Sequence, residues 1–341
     1  MNTETLRAIE TVAAARNAAD LFGPADGSPR VGRREFRRLA ALLHPDRNAG
    51  DPAVAAAFER LVARYDEWRG PAVVVSGRRG RYTVIGSPVQ GSVSAVYAAT
   101  SESGDRVAIK VSRSASSGRF LERERAALRR LRALTDRPEN TWLAPYFPRL
   151  LDTADLLDAG SGTTRTADVL SAHGAAEGFV DLATVAAARP EGLDGRDWAW
   201  IHRRLLRAVA GAHLAGLVHG ALVPENVLIH PEGHGVVLAG WSFASAPGEQ
   251  LPGRIASRRD LYPPDANEPA SAALDVYMVH ATMRTLLAPT QRRQLAFAAG
   301  CMQRAPRMRP AAVALLDEYD DLLEDLYGRR RFRPFPYTVS A

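Results

Sequence analysis

DRVAIKVSR, residues 105–113, holds the single lysine of the chain, Lys110; every other one of its 44 basic residues is arginine. The stretch reads as a strand. RYTVIG (81–86) and SAVYAAT (94–100) precede it as two more strands, with turn residues between them, Gly104 and Asp105 the clearest. Beyond this sheet the pattern turns helical. FLERERAALRRLRAL (120–134) is amphipathic, and WIHRRLLRAVAGAHLAGLVHG (200–220) is a buried-type helix running into a loop. VLIHPEGHGVVLAGW (227–241) then reads as a hairpin. Strands first and helices later predict an α+β arrangement.

Short motifs fall along this pattern in a definite order. Val107-Ala108-Ile109-Lys110 is followed by Glu124, which sits four residues before Leu128. Then come His219-Gly220-Ala221-Leu222-Val223-Pro224-Glu225-Asn226, Leu238-Ala239-Gly240-Trp241-Ser242, Tyr262-Pro263-Pro264-Asp265, Asp275-Val276-Tyr277 and the PRMRP stretch from Pro306 to Pro310. In order and spacing these resemble protein kinases from about residue 81 to 328. The resemblance implies a two-lobed fold, with an N-lobe over 81–173, a C-lobe over 174–328 and a basic tail over 329–341. It implies that Lys110 pairs with Glu124 of helix C, with Glu122 the second choice, and that Arg309 pairs with Asp265. Asp275 is expected to hold the catalytic-loop backbone rather than do chemistry.

The chemistry the family needs is missing at its central positions. Ala221 stands where the catalytic-loop aspartate accepts the substrate proton, and Gly240 where the metal-binding aspartate belongs. Val223 replaces the loop lysine, while Asn226, the second metal ligand of the family, remains. Loss of one general base typically removes a factor of about 10² to 10⁴, and no carboxylate nearby in sequence substitutes. The glycine loop is degraded too. Its three glycine positions fall on Val89, Gly91 and Ser94, or in another register on Gly86, Pro88 and Gly91. The resemblance therefore implies a pseudokinase with no catalytic residue and no metal site. ATP stays open as a ligand of Lys110, Glu124, Gly91 and Asn226; magnesium is left without its principal carboxylate. Position 110 also explains its own residue type. Arginine and lysine exchange readily on a surface, but here a compact ammonium must fit between a carboxylate and phosphates. A purely structural Lys110–Glu124 ion pair would keep the same two residues.

Upstream, Arg33–Leu43 places Phe36, Leu39, Ala40 and Leu43 on one helical stripe and arginines on the other face. Pro45 ends that helix, and Asp51-Pro52 reads as an N-cap with proline in the first turn. The next helix carries Val54, Phe58, Leu61, Val62 and Tyr65 on one face, so the two pair as a hairpin with His44-Pro45-Asp46 at its tip. Residues 15–69, with a first helix ending in AADLFG, resemble the J domain of DnaJ-type co-chaperones. The resemblance implies that His44, Pro45 and Asp46, with Arg37 and Arg38 on the basic helix, engage a DnaK-type chaperone and stimulate its ATP hydrolysis. The expected organisation is a J domain over 1–69, a linker over 70–80 with a short strand open at Val73–Val75, and then the two lobes.

Composition narrows the setting. The net charge is +6, but the arginines are scattered and usually sit beside carboxylates, so nucleic acid is not an expected partner. A single cysteine, Cys301, excludes an internal disulfide and fits a reducing cytoplasm. No basic segment leads into an apolar core at the N-terminus and no long apolar run exists, so neither signal peptide nor membrane span is expected. His230 and His234 bracket a turn without a third metal ligand, His173 reads as packed or solvated, and Arg329–Arg333 reads as a solvated or internally paired tail. The function expected is a cytoplasmic J-domain co-chaperone whose pseudokinase binds an unidentified partner or a nucleotide. A divergent phosphotransferase and a nucleotide-independent scaffold are the alternatives. HGALVPEN also resembles the loop of small-molecule phosphotransferases, which need the same absent aspartate.

Overall fold

The chain, in a computed structural model, is described over residues 3–23, 29–44, 48, 51–69, 73–157 and 164–337. It divides into two compact units, residues 1–74 and 75–341. Among the described residues no helix is long and apolar enough to cross a membrane.

The first unit is helical: α1 (Thr3–Ala14), α2 (Ala18–Phe22), α3 (Pro29–Leu43) and α4 (Pro52–Arg69). The expected single first helix is two. Asn17 breaks it by capping α2, accepting from the Asp20 amide while the Asp20 carboxylate accepts from the Asn17 amide. Leu39 and Leu43 of α3 interlock with Val54 and Leu61 of α4 over Val12 and Phe22, all of them buried. Gly32 lets the hairpin close on an aromatic cluster, since a side chain there would meet the Trp68 ring at 2.5 Å. Phe36 stacks on Tyr65, with centroids 3.9 Å apart, and Trp68 donates to the Gly23 carbonyl at 2.8 Å. Asp51 caps α4 by accepting from the Ala53 amide at 2.9 Å.

The second unit opens with β1 (Val74–Ser76), β2 (Arg81–Gln90), β3 (Ser94–Ser101) and β4 (Arg106–Ser112). After α5 (Gly118–Thr135) come β5 (Leu150–Leu157) and β6 (Thr164–Ser171). These six strands form one sheet in the order β1-β2-β3-β4-β6-β5. The stretch expected as a linker thus supplies its edge strand at Val74–Ser76. Alternation along β4 sends Val107, Ile109 and Val111 into one apolar layer with Val169 and Ala154, and leaves Lys110 on the opposite face.

The rest of the unit is β7 (Val180–Asp181), α6 (Leu182–Ala188), α7 (Gly195–Leu214), β8 (Val227–His230), β9 (Gly235–Leu238), α8 (Ala272–Leu286), α9 (Arg292–Cys301) and α10 (Ala314–Tyr327). Strands β7, β8 and β9 make a second, small sheet. Trp198, Ile201, Leu205 and Val209 of α7 pack against Met278, Val279 and Met283 of α8 at the centre. Within this core lie two wholly buried histidines, His202 and His280, with rings 5.0 Å apart. Both must be neutral. Burial pushes His280 down to about 4 and His202 well below the ordinary 6.5, the nearby His280 adding to the latter.

Because these folded values lie below the unfolded one, their contribution is complete above about pH 6.5 and is lost as pH falls towards 4. We expect acid to destabilise this unit by about 1.4 kcal/mol per pH unit for each histidine across that window. Chemical denaturation at a series of pH values tests this. His280→Leu should lessen the slope by about one proton, and an unchanged slope would refute the assignment.

Candidate functional site

Helix α5 and strand β4 build the site together. Leu121, Glu124, Leu128 and Leu131 share the buried stripe of α5, so Glu124 is carried inward as one member of an apolar row. It is 1 % exposed, and its Oε2 accepts from the Lys110 ammonium, itself 8 % exposed. Glu122 points to solvent. A third residue completes the arrangement. Ser242 Oγ donates to Glu124 Oε2 at 2.6 Å and accepts from Lys110 Nζ at 2.9 Å. One hydroxyl thus bridges both charges in a buried site.

A second ion pair lies beside the first. Lys110 and Asp168 are register partners on β4 and β6. Arg125, next to Glu124, donates to Asp168 Oδ1 and, at 3.0 Å, to the Ala167 carbonyl. Burial pushes the Asp168 carboxyl up to about 6 while Arg125 opposes it, so the pair is charged at neutral pH. Two consecutive residues of α5 are therefore tied to two neighbouring strands.

The loop at 219–226 is held by groups around it. Asp275 Oδ2 accepts from the His219 amide at 2.7 Å, and Oδ1 from the Gly220 amide at 2.9 Å. His219 donates from Nε2 to the Ala239 carbonyl at 2.8 Å, which leaves Nδ1 to accept from the Ala221 amide at 3.2 Å. Burial lowers the His219 pKa and keeps the ring neutral. Within this frame Ala221, Val223 and Gly240 carry no ionisable group. Ala221 and Val223 are buried methyl-bearing side chains. Gly240 adopts φ +77°, and a Cβ there would lie 2.3 Å from the Asn226 amide group. Asn226 donates in turn to the Ala221 carbonyl at 2.8 Å. Its side chain fills the space where a carboxylate at 240 would begin.

These residues do not fit a magnesium ion. No group of three His, Cys, Asp or Glu among the described residues could hold a metal. Gly91 lies in the turn between β2 and β3, where its amide donates to the Ser94 carbonyl at 2.8 Å and its carbonyl accepts from Arg113 at 3.2 Å. Its backbone groups are bonded within the protein rather than held out to a phosphate. Arg309 grips Asp265 with both terminal nitrogens and adds the carbonyls of Gln303, Arg304 and Ala273. In the first unit, Arg37 and Arg38 are exposed on α3, where Arg38 pairs with Glu35. His44 is exposed just past α3, with its ring 5.7 Å from that of Phe58; Pro45 and Asp46 lie outside the described residues.

Sequence reasoning did not find Ser242, Arg125 or Asp168. Ser242 had one signal, its place two residues after Gly240 in the motif already aligned. The Arg125–Asp168 pair spans 43 residues and carries no local pattern.

No protein-family model and no curated protein matches the chain. Solved structures do. A structure of vaccinia related kinase 3 aligns with a TM-score of 0.59 at 16 % identity, covering 78 % of this chain and 93 % of that one. The BubR1 kinase domain aligns with a TM-score of 0.56 at 14 % identity, covering 75 % and 84 %. At such identities the likeness is one of fold: the chain contains a protein kinase-like fold.

Removing one member of a buried ion pair strands the other charge. We expect Lys110→Met to cost about 3–5 kcal/mol, and the double change Lys110→Met with Glu124→Leu to recover most of that. Urea denaturation of the three proteins decides it; a single variant as stable as the double would mean the pair is not coupled. In the same urea experiment Gly240→Ala should cost more than the about 1–2 kcal/mol of its left-handed backbone, because its Cβ also displaces Asn226.

Proposed function

We propose that the chain joins a J-domain-type co-chaperone arm to a pseudokinase that serves as a protein-binding module. The observation that carries the second half is the Asn226 side chain lodged against Gly240, beside a buried Ala221. Phosphoryl transfer needs a base at one of these positions and a metal carboxylate at the other. The carboxylate at 240 cannot be regained there without moving Asn226. The co-chaperone half rests on the α3–α4 hairpin, with His44 at its end and a basic face alongside. Arg30, Arg33, Arg34 and Arg37 line a shallow concavity of about 280 Å³ on α3. That surface suits the acidic side of a chaperone partner.

One observation favours a nucleotide-independent scaffold over a nucleotide-gated one. Ser242 already supplies Lys110 with a second oxygen, so the ammonium needs no phosphate to be held in place.

Three measurements test this. ATP hydrolysis by a DnaK-type chaperone should be stimulated by the wild-type chain and not by His44→Gln; equal stimulation by both sinks the co-chaperone reading. Purified protein should transfer no label from radiolabelled ATP, even with Ala221→Asp and Gly240→Asp combined. Transfer that Lys110→Ala abolishes would make the chain a divergent phosphotransferase. Thermal unfolding should not shift with ATP, with or without magnesium. A shift would favour nucleotide gating.

A further inference from the structure

The last described residues, 329–337, leave α10 at Gly328, whose φ of +69° suits glycine, and pass over α7 without regular structure. Residues 329–334 are exposed, yet the segment is paired internally through Arg333 and anchored by one ring. Phe335 is buried, 8 % exposed, and meets Trp200 edge-on with centroids 5.7 Å apart. Phe332 stacks on His234 at 4.6 Å, and His234 stacks on Trp200 at 4.3 Å, so a tail ring ends a three-ring stack. Between the two phenylalanines, Arg333 reaches two carboxylates: its Nε lies 3.0 Å from Asp197 Oδ1 and its Nη1 3.5 Å from Asp194 Oδ1. Arg189 donates to the Pro336 carbonyl.

The fit is anchored but incomplete. Phe332 remains 72 % exposed and the Arg333 side chain 44 %. Of the residues the tail rings touch, Trp200 Nε1 and His234 Nε2 are buried without a hydrogen-bond partner among the described residues. Native interiors rarely leave such groups orphaned. Aromatic and arginine anchors around a buried carboxylate are also the residue types that dominate peptide and protein interfaces.

We propose that this face of α7 is a peptide-docking groove for an aromatic–arginine–proline–aromatic segment, filled in cis by Phe332–Pro336 and open to a partner protein bearing the same pattern. Asp194 and Asp197 select the arginine, Trp200 and His234 take the aromatic rings, and Trp200 Nε1 offers a donor that the resident tail does not use. A tethered tail competes at an effective concentration on the order of millimolar, so a partner must bind more tightly than the tail or meet it loosened.

The test uses the full chain with Arg333→Glu and Phe335→Ala, which weaken the resident tail, and a fluorescent peptide of residues 329–337. Anisotropy should show binding to this variant, at least about tenfold weaker binding to the wild-type chain, and about a tenfold loss when Asp197→Asn is added to the variant. A folded variant that does not bind the peptide overturns the proposal, as does equal binding by wild type or equal binding of a scrambled peptide. If the variant does not fold, a protease site between Gly328 and Arg329 is cut in the otherwise native chain. Exchange of the severed tail for labelled peptide supports the groove. A severed tail that never exchanges, or unfolding on cleavage, makes the tail a fixed part of the core and overturns it.

Discussion

An ammonium and a carboxylate taken out of water hold this kinase-like unit in register. Lys110 stands on the sheet and Glu124 on α5, so their contact sets how the helix lies against the strands. Burying two charges is expensive, and the attraction between them repays it only when remaining polar atoms find partners. Ser242 does this for both, giving its proton to one and a lone pair to the other. Because Ser242 comes from the turn after β9, the same bond network also ties the six-stranded sheet to the segment that follows the small sheet. Arg125 and Asp168 repeat the device one residue along α5, which makes rotation of the helix about its axis costly in either direction.

Around that fixed pair, the groups that frame the kinase-like fold hold one another in place. Asp275 still orders the loop at 219–220, and Arg309 still clamps Asp265 through a wholly buried guanidinium. These groups act on backbone and on each other, and so serve a fold whether or not it turns over substrate. Asn226 is engaged by its bond to the Ala221 carbonyl, and Gly91 by its bonds to Ser94 and Arg113.

What could be read from sequence divides along the same physical line. Periodicity exposed α3, α4, α5 and α7 because each buries one stripe, and motif spacing located Lys110, Glu124, Asp265 and Arg309 because each falls within a short local pattern. The break at Asn17 was missed because a capping box inside an apolar run looks like continuous helix until its hydrogen bonds are seen. The strand left open at Val73–Val75 forms one residue later, at Val74–Ser76, because its three valines stand out within the expected linker. Contacts made across the chain, Arg125 with Asp168 and the tail with Trp200, follow from three-dimensional closure and leave no trace in neighbouring letters.

Lys110 is the only side-chain amine in the protein, and it is almost wholly enclosed. The folded chain therefore presents a surface rich in positive charge that is nearly blank to amine chemistry. Acylating reagents, reductive methylation and any cellular machinery that conjugates a tag to lysine find no accessible side-chain target until the unit opens. Reactivity of that one amine becomes a built-in reporter of whether α5 is still seated.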